Sequence, residues 1–112
     1  MKSLSKALLL AALLGGFASP LAAAEMEVYD LVLKDHRFIP NRLEVPADRK
    51  VVLHLINQDD ATEEFDSTDL KREKVVKGGQ DIRIIVGPLS PGEYKFVGEY
   101  HEETAKGVLV VK

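Results

Sequence analysis

The sequence predicts an all-β sandwich or barrel of about seven short strands, and three observations carry that prediction. Apolar runs of strand length recur from Val28 to Val111, with turn residues breaking them at intervals of about 8–12 residues. The apolar positions alternate or run on continuously, and no stretch beyond residue 25 repeats at the i, i+3, i+4, i+7 spacing of a substantial helix. No internal repeat or low-complexity tract points to another architecture.

Taken in order, Val28, Leu31 and Leu33 form a first strand that leads into Asp35-His36-Arg37. Phe38-Ile39-Pro40-Asn41 then turns the chain toward Leu43-Glu44-Val45, and Pro46-Ala47-Asp48 breaks that run. Val51 to Ile56 is nearly continuous and β-branched, as expected of an interior strand. Asn57-Gln58-Asp59-Asp60 is loop chemistry, because such side chains bond their own backbone in turns. Thr62 to Ser67 has Phe65 as its only apolar residue, and on a strand Glu64 and Asp66 share one face while Glu63 and Phe65 share the other. Leu70 to Val76 ends at Gly78-Gly79, which reads as a hairpin turn. Ile82, Ile84 and Val86 alternate with Asp81, Arg83 and Ile85. Pro91-Gly92 marks a tight turn into Tyr94-Lys95-Phe96-Val97. A charged segment, Glu99 to Lys106, precedes the closing run Val108 to Val111.

The first 24 residues have a different character. Lys2 and Lys6 precede a short apolar run from Ala7 to Leu14, and Ala22-Ala23-Ala24 precedes Glu25, the pattern of a secretory signal peptide cleaved after Ala24. The run is far shorter than the ~20 residues of a membrane span. Export places the protein in the bacterial periplasm. Removing the leader leaves one small domain and takes the formal charge from −3 to −5. That surplus of acid argues against nucleic acid as a partner. With no cysteine in the chain, the domain has no disulfide to stabilise it.

Carboxylates and histidines are the side chains with chemistry to offer. Glu99, His101, Glu102 and Glu103 lie together near the C-terminus, and Glu63, Glu64 and Asp66 lie upstream. Such a set suits iron, manganese, zinc or copper(II) and suits copper(I) poorly. His36, on the face of Phe38 by strand alternation, is a further candidate ligand. His54, inside an apolar run, reads as a packed and hydrogen-bonded core residue, and Glu73 as a surface salt-bridge partner. Met26 is the one methionine beyond the leader, which excludes a methionine-rich copper(I) site. No Gly-x-Ser-x-Gly elbow, His-Glu-x-x-His or phosphate-cradling glycine loop is present.

Pro91-Gly92-Glu93-Tyr94-Lys95-Phe96 and Lys106-Gly107-Val108-Leu109-Val110-Val111 resemble the closing frame of cupredoxin domains. Phe38-Ile39-Pro40 with Leu43 to Ala47 resembles that family's opening hairpin, and Val52 to Asn57 followed by Glu64-Phe65 its central strand and first ligand region. The resemblance implies a Greek-key sandwich, and it places four residues in the ligand slots of a blue-copper site. Those residues are Glu63 and His101 in the two histidine slots, Gly98 in the cysteine slot and Ala105 in the methionine slot. Without a thiolate the chain is no blue-copper electron carrier.

Glu64-Phe65-Asp66, Arg72-Glu73-Lys74-Val75 and Gly98 to Glu102 resemble the EfeO-type cupredoxin-like domains of periplasmic iron uptake. That resemblance implies a protein that binds iron or non-blue copper(II) and assists its uptake. Its implied partners are an inner-membrane iron permease or a periplasmic iron-binding protein. The implied ligands are His101, Glu63 or Glu64, and Glu99, with His36 as a further candidate. Two other readings stay open: a ferroxidase that oxidises iron(II) ahead of a permease, and a metal-free interaction module whose ligand slots have decayed.

Overall fold

The computed structural model describes residues 25–112. The leader expected over residues 1–24 lies outside the described residues. Alternation along each strand turns one set of apolar side chains inward, and these sets meet between two sheets. One sheet has the order β2-β1-β4-β7, built from Val28–Lys34 (β1), Arg37–Ile39 (β2), Val51–Asn57 (β4) and Asp81–Val86 (β7). The other, β3-β9-β8-β5-β6, is built from Arg42–Val45 (β3), Glu63–Ser67 (β5), Arg72–Val76 (β6), Gly92–Gly98 (β8) and Lys106–Val111 (β9). Strands β1 and β4 run parallel, as do β3 and β9, and the other pairs are antiparallel. Among the described residues the helical content is a single 3-10 turn, Glu99–His101.

The all-β sandwich is as expected, with nine strands among the described residues where about seven were expected, and the segment from Phe38 to Val45 is not a hairpin. β2 pairs with β1 in the first sheet, whereas β3 pairs with β9 in the second. Pro40 stands between them, and its missing N–H cannot extend the β2 ladder. The Gly78-Gly79 turn also departs from expectation. It carries the chain from β6 in one sheet to β7 in the other instead of joining neighbours. A Cβ on Gly78 would lie 1.9 Å from the Asp60 carbonyl oxygen, so the glycine is required by close backbone approach. Asn57, 1 % exposed, secures the same corner by donating its amide to the carbonyls of Ala61, Val76 and Lys77.

Leu31, Leu33, Leu53, Leu55 and Ile84 from the first sheet face Phe65, Phe96 and Leu109 from the second, all essentially buried. Three aromatic rings form the centre of this core. Phe65 and Phe96 lie 5.1 Å apart at 25°, and Phe38 meets Phe96 edge-on at 4.9 Å. Such pairs add about 0.5–1.5 kcal/mol each beyond the area they bury. Phe65 and Phe96 belong to the two strands that carry the candidate ligand region, so this cluster fixes where that region sits.

His54 corrects one expectation. It is hydrogen-bonded, but on the outer face of β4 rather than in the core. Its Nε2 lies 2.6 Å from Asp81 Oδ2 and its Nδ1 3.0 Å from Asp30 Oδ1, tying β4 to both neighbouring strands. The run it interrupts is continuous because Val52 is also covered on that outer side. The hydrogen bonds from Asp81 and then Asp30 raise the His54 pKa above its ordinary value of 6.5.

Two measurements test this account. Phe96→Ala should lower unfolding stability by about 3–5 kcal/mol in denaturant titration. Because the folded-state pKa of His54 is raised, its contribution is complete below about 6.5 and is lost as pH rises through the raised value. The wild-type unfolding midpoint should therefore fall over that window, and His54→Gln should flatten the fall.

Candidate metal site

Strand β5 sorts its acids by alternation. Glu63, Phe65 and Ser67 point inward, while Glu64 and Asp66 stay on the outer face. Glu63 is thus an acid with 1 % exposure at the end of an apolar core. Both its oxygens are engaged. Oε1 accepts the N–H of Glu64 at 2.9 Å and of Tyr100 at 2.8 Å, and Oε2 accepts Nδ1–H of His101 at 2.7 Å. No buried side-chain nitrogen or oxygen among the described residues lacks a partner.

Gly98 and Ala105 complete this inner end. A Cβ on Gly98 would lie 2.7 Å from Glu63 Cδ and 2.8 Å from Ala105 Cβ. Gly98 donates its N–H to the Ala105 carbonyl at 2.8 Å, and Ala105 donates to the His101 carbonyl at 2.8 Å. Glu63, Gly98, His101 and Ala105 therefore do converge, as their expected slots require. The space between them is filled by the Glu63 carboxylate. Thiolate, thioether and one imidazole are missing, and the remaining imidazole points its Nδ1 at a carboxylate. This inner end does not fit a blue-copper ion.

His36 reaches the same end, though not by strand alternation. It lies in the two-residue turn between β1 and β2, where Asp35 and His36 have φ of 52° and 57°. Asp59 accepts both their N–H groups, at 2.7 and 3.0 Å. Burial pushes the Asp59 carboxyl upward, but those two donors outweigh it and leave the pKa lowered. Held there, the His36 ring stacks on His101 with centroids 3.6 Å apart at 13°.

The outer face is where acids collect. Register puts Asp66 opposite Glu73 and Glu64 opposite Val75, so Glu64, Asp66 and Glu73 share that face. The 3-10 turn adds Glu99 from above. One oxygen from each of Glu64, Glu73 and Glu99 lies within 4.8 Å of the others. The crowding bears on two of them, Glu73 and Glu99. A hydrogen bond to Glu64, and then the Glu64 charge, raise the Glu73 pKa. The Glu64 charge foremost raises that of Glu99, with a further contribution from Asp66. Tyr100, half exposed beside them, is raised by burial and then by Glu64.

The structure thus divides the expected ligands into two sets. Glu64 and Glu99 meet on the outer face, whereas Glu63, His101 and His36 form a hydrogen-bonded and stacked group behind it. Glu73, expected as a salt-bridge partner, instead faces carboxylates and joins the outer set. The signal that could have found it is the β5–β6 register, which a sequence does not print. Three carboxylates at this spacing offer hard oxygen donors to a multivalent cation and nothing to a soft one.

A mixed two-sheet sandwich with its candidate ligands gathered at the β5, β8–β9 end defines a cupredoxin-type domain. The chain belongs to the cupredoxin-like domain family, whose model matches residues 6–111. It is 47 % identical over 81 residues to uncharacterised protein RP394 of Rickettsia prowazekii, covering 72 % of this chain and 65 % of that one. The chain thus spans just under two-thirds of that relative's length. Among solved structures it is similar to auracyanin A, a blue copper protein of Chloroflexus aurantiacus (TM-score 0.67, 13 % identity, 79 % of this chain and all of that one). It is also similar to the metal-binding domain of the Cu(I)-exporting ATPase CopA of Streptococcus pneumoniae (TM-score 0.64, 10 % identity, 76 % and 84 %). At these identities the likeness establishes the fold.

Gly98→Cys tests the closed inner end. Its side chain must displace Glu63 or Ala105, so the variant should lose about 1–3 kcal/mol of stability. It should show no intense visible absorption on adding copper(II).

Proposed function

We propose that this protein is a periplasmic cation-binding cupredoxin-like protein that assists the uptake of iron (or copper), with Glu64, Glu73 and Glu99 holding the ion as cargo. The observation that carries this reading is the outer acidic set, whose three oxygens lie within 4.8 Å of one another with no salt bridge to a cation among the described residues. A hydrogen bond to Glu64 and then its charge raise the pKa of Glu73, and the Glu64 charge raises that of Glu99; a multivalent cation relieves the same like-charge repulsion that a proton does. The likeness to EfeO-type domains and the leader pattern of residues 1–24 support a periplasmic setting beside an iron permease or a periplasmic iron-binding protein. Open coordination positions on this exposed face suit transfer to such a partner better than permanent retention. The closed inner end favours one other reading, a metal-free interaction module.

Calorimetric titration of the domain with anaerobic iron(II), manganese(II), zinc and copper(II) separates the two. Binding tighter than about millimolar that is lost in Glu73→Gln and Glu99→Gln supports the cation site. No binding by the wild type leaves the interaction module. Affinity should fall as pH drops through the raised pKa values of Glu73 and Glu99, because protons then compete with the ion. The same shifts set the behaviour without metal. A raised carboxylate pKa means the folded state resists ionising that group, so stability declines as pH rises through it. Glu73→Gln should therefore raise the metal-free unfolding midpoint at neutral pH while removing the rise that added cation produces in the wild type.

A further inference from the structure

The outer acidic set draws its members from three segments: β5 with Glu64, β6 with Glu73, and the 3-10 turn with Glu99. Strand β6 is paired to β5 along its length, which leaves β5 and the turn as the two segments to be joined. The β5–β8 ladder joins the two segments through Phe65 and Gly98, the neighbours of Glu64 and Glu99, while the outer carboxylates gather like charge at the same place. We propose that Glu63 is the positioning residue of the cation site, a buried carboxylate that binds both ligand-bearing segments and so fixes the spacing of Glu64 and Glu99. The inference rests on the cation reading of that face.

Three contacts carry it. The Glu63 carboxylate accepts the N–H of Glu64, the residue that follows it and bears one ligand, at 2.9 Å. With the same oxygen it accepts the N–H of Tyr100, the residue after Glu99, at 2.8 Å. With the other it accepts the His101 ring N–H at 2.7 Å, at the far end of the same turn. The carboxylate is 1 % exposed, so water does not compete for these donors. The turn has no side-chain cap of its own: Gly98 at its start makes no capping hydrogen bond. Glu63 takes that role from a neighbouring strand. Gly98 and Ala105 are small enough to let it lie there, since a Cβ on Gly98 would meet the carboxylate at 2.7 Å. His101 then acts through Glu63 as a donor and is not itself in the ion's coordination. Carboxylate–imidazole partners that orient a metal's ligands typically change affinity by about 10–100-fold when removed.

The test uses manganese(II) as an air-stable probe, with Glu63→Gln, His101→Ala and His101→Asn. Asparagine can place an amide N–H near the position of the lost Nδ1–H. Glu63→Gln and His101→Ala should each weaken manganese binding about tenfold or more, and His101→Asn should restore most of it. Val86→Ala, a core change in the other sheet, supplies a control that lowers the unfolding midpoint without touching the site. A loss of affinity in Glu63→Gln no larger than in Val86→Ala overturns the proposal. So does a His101→Asn variant as weak as His101→Ala, which would make the imidazole a direct ligand. Amide–amide contacts between Glu64 and Tyr100, followed by nuclear Overhauser effects in the metal-free protein, read the clamp without any ion. They should weaken in Glu63→Gln, and their persistence also counts against the proposal. A wild type that binds no manganese, with those contacts still lost in Glu63→Gln, would defeat the cation reading while leaving the clamp in place.

Discussion

A carboxylate buried at the end of an apolar sandwich must find hydrogen-bond donors, because leaving it unpartnered there costs several kcal/mol. Glu63 meets that requirement with two backbone N–H groups and one imidazole, and much of the local architecture follows from it. The 3-10 turn has to bring Tyr100 and His101 over it. Gly98 has to lack a side chain, and Ala105 has to be small, for the carboxylate to fit beneath them. His101 has to aim Nδ1 inward at that carboxylate. The same hydrogen bonds that make the buried acid tolerable therefore rule out the soft-metal chemistry of the fold.

The outer side of β5 carries the opposite electrostatic problem. Glu64, Asp66, Glu73 and Glu99 crowd one exposed face; a hydrogen bond to Glu64 and then its charge raise the Glu73 pKa, and the Glu64 charge foremost raises that of Glu99. Alternation along a single strand thus separates a buried, hydrogen-bonded carboxylate inside from crowded, solvent-facing ones outside by one residue. On the proposed reading a cation complements the outer set, whose oxygen donors would favour hard ions over soft ones. The Phe38, Phe65 and Phe96 cluster links the two, since β5 and β8 are held in place by the rings they contribute to the core.

The histidines show how differently three copies of one residue can be used. His54 ties three strands together on the far sheet through Asp30 and Asp81. His101 is a donor to a buried acid, and His36 covers it by stacking. Asp59 makes the stacking achievable by anchoring the turn that bears His36.

Much of this was legible in the sequence. Strand period, turn residues and the absence of helical spacing determined an all-β sandwich, because side-chain alternation is a local property of the backbone. The inward Glu63 beside the outward Glu64 and Asp66 followed from the same rule, and the missing cysteine by itself excluded a copper–thiolate centre. What the sequence did not contain was pairing. Whether β2 and β3 share a sheet, whether Gly78-Gly79 joins neighbours, and whether Glu73 faces a cation or other acids all depend on register between distant segments. His36 came to His101 through a turn that Asp59 holds from 23 residues away. Only the tertiary structure could decide that the expected ligands form two sets, because hydrogen-bond partners of a buried acid are chosen by proximity in space and not by order along the chain.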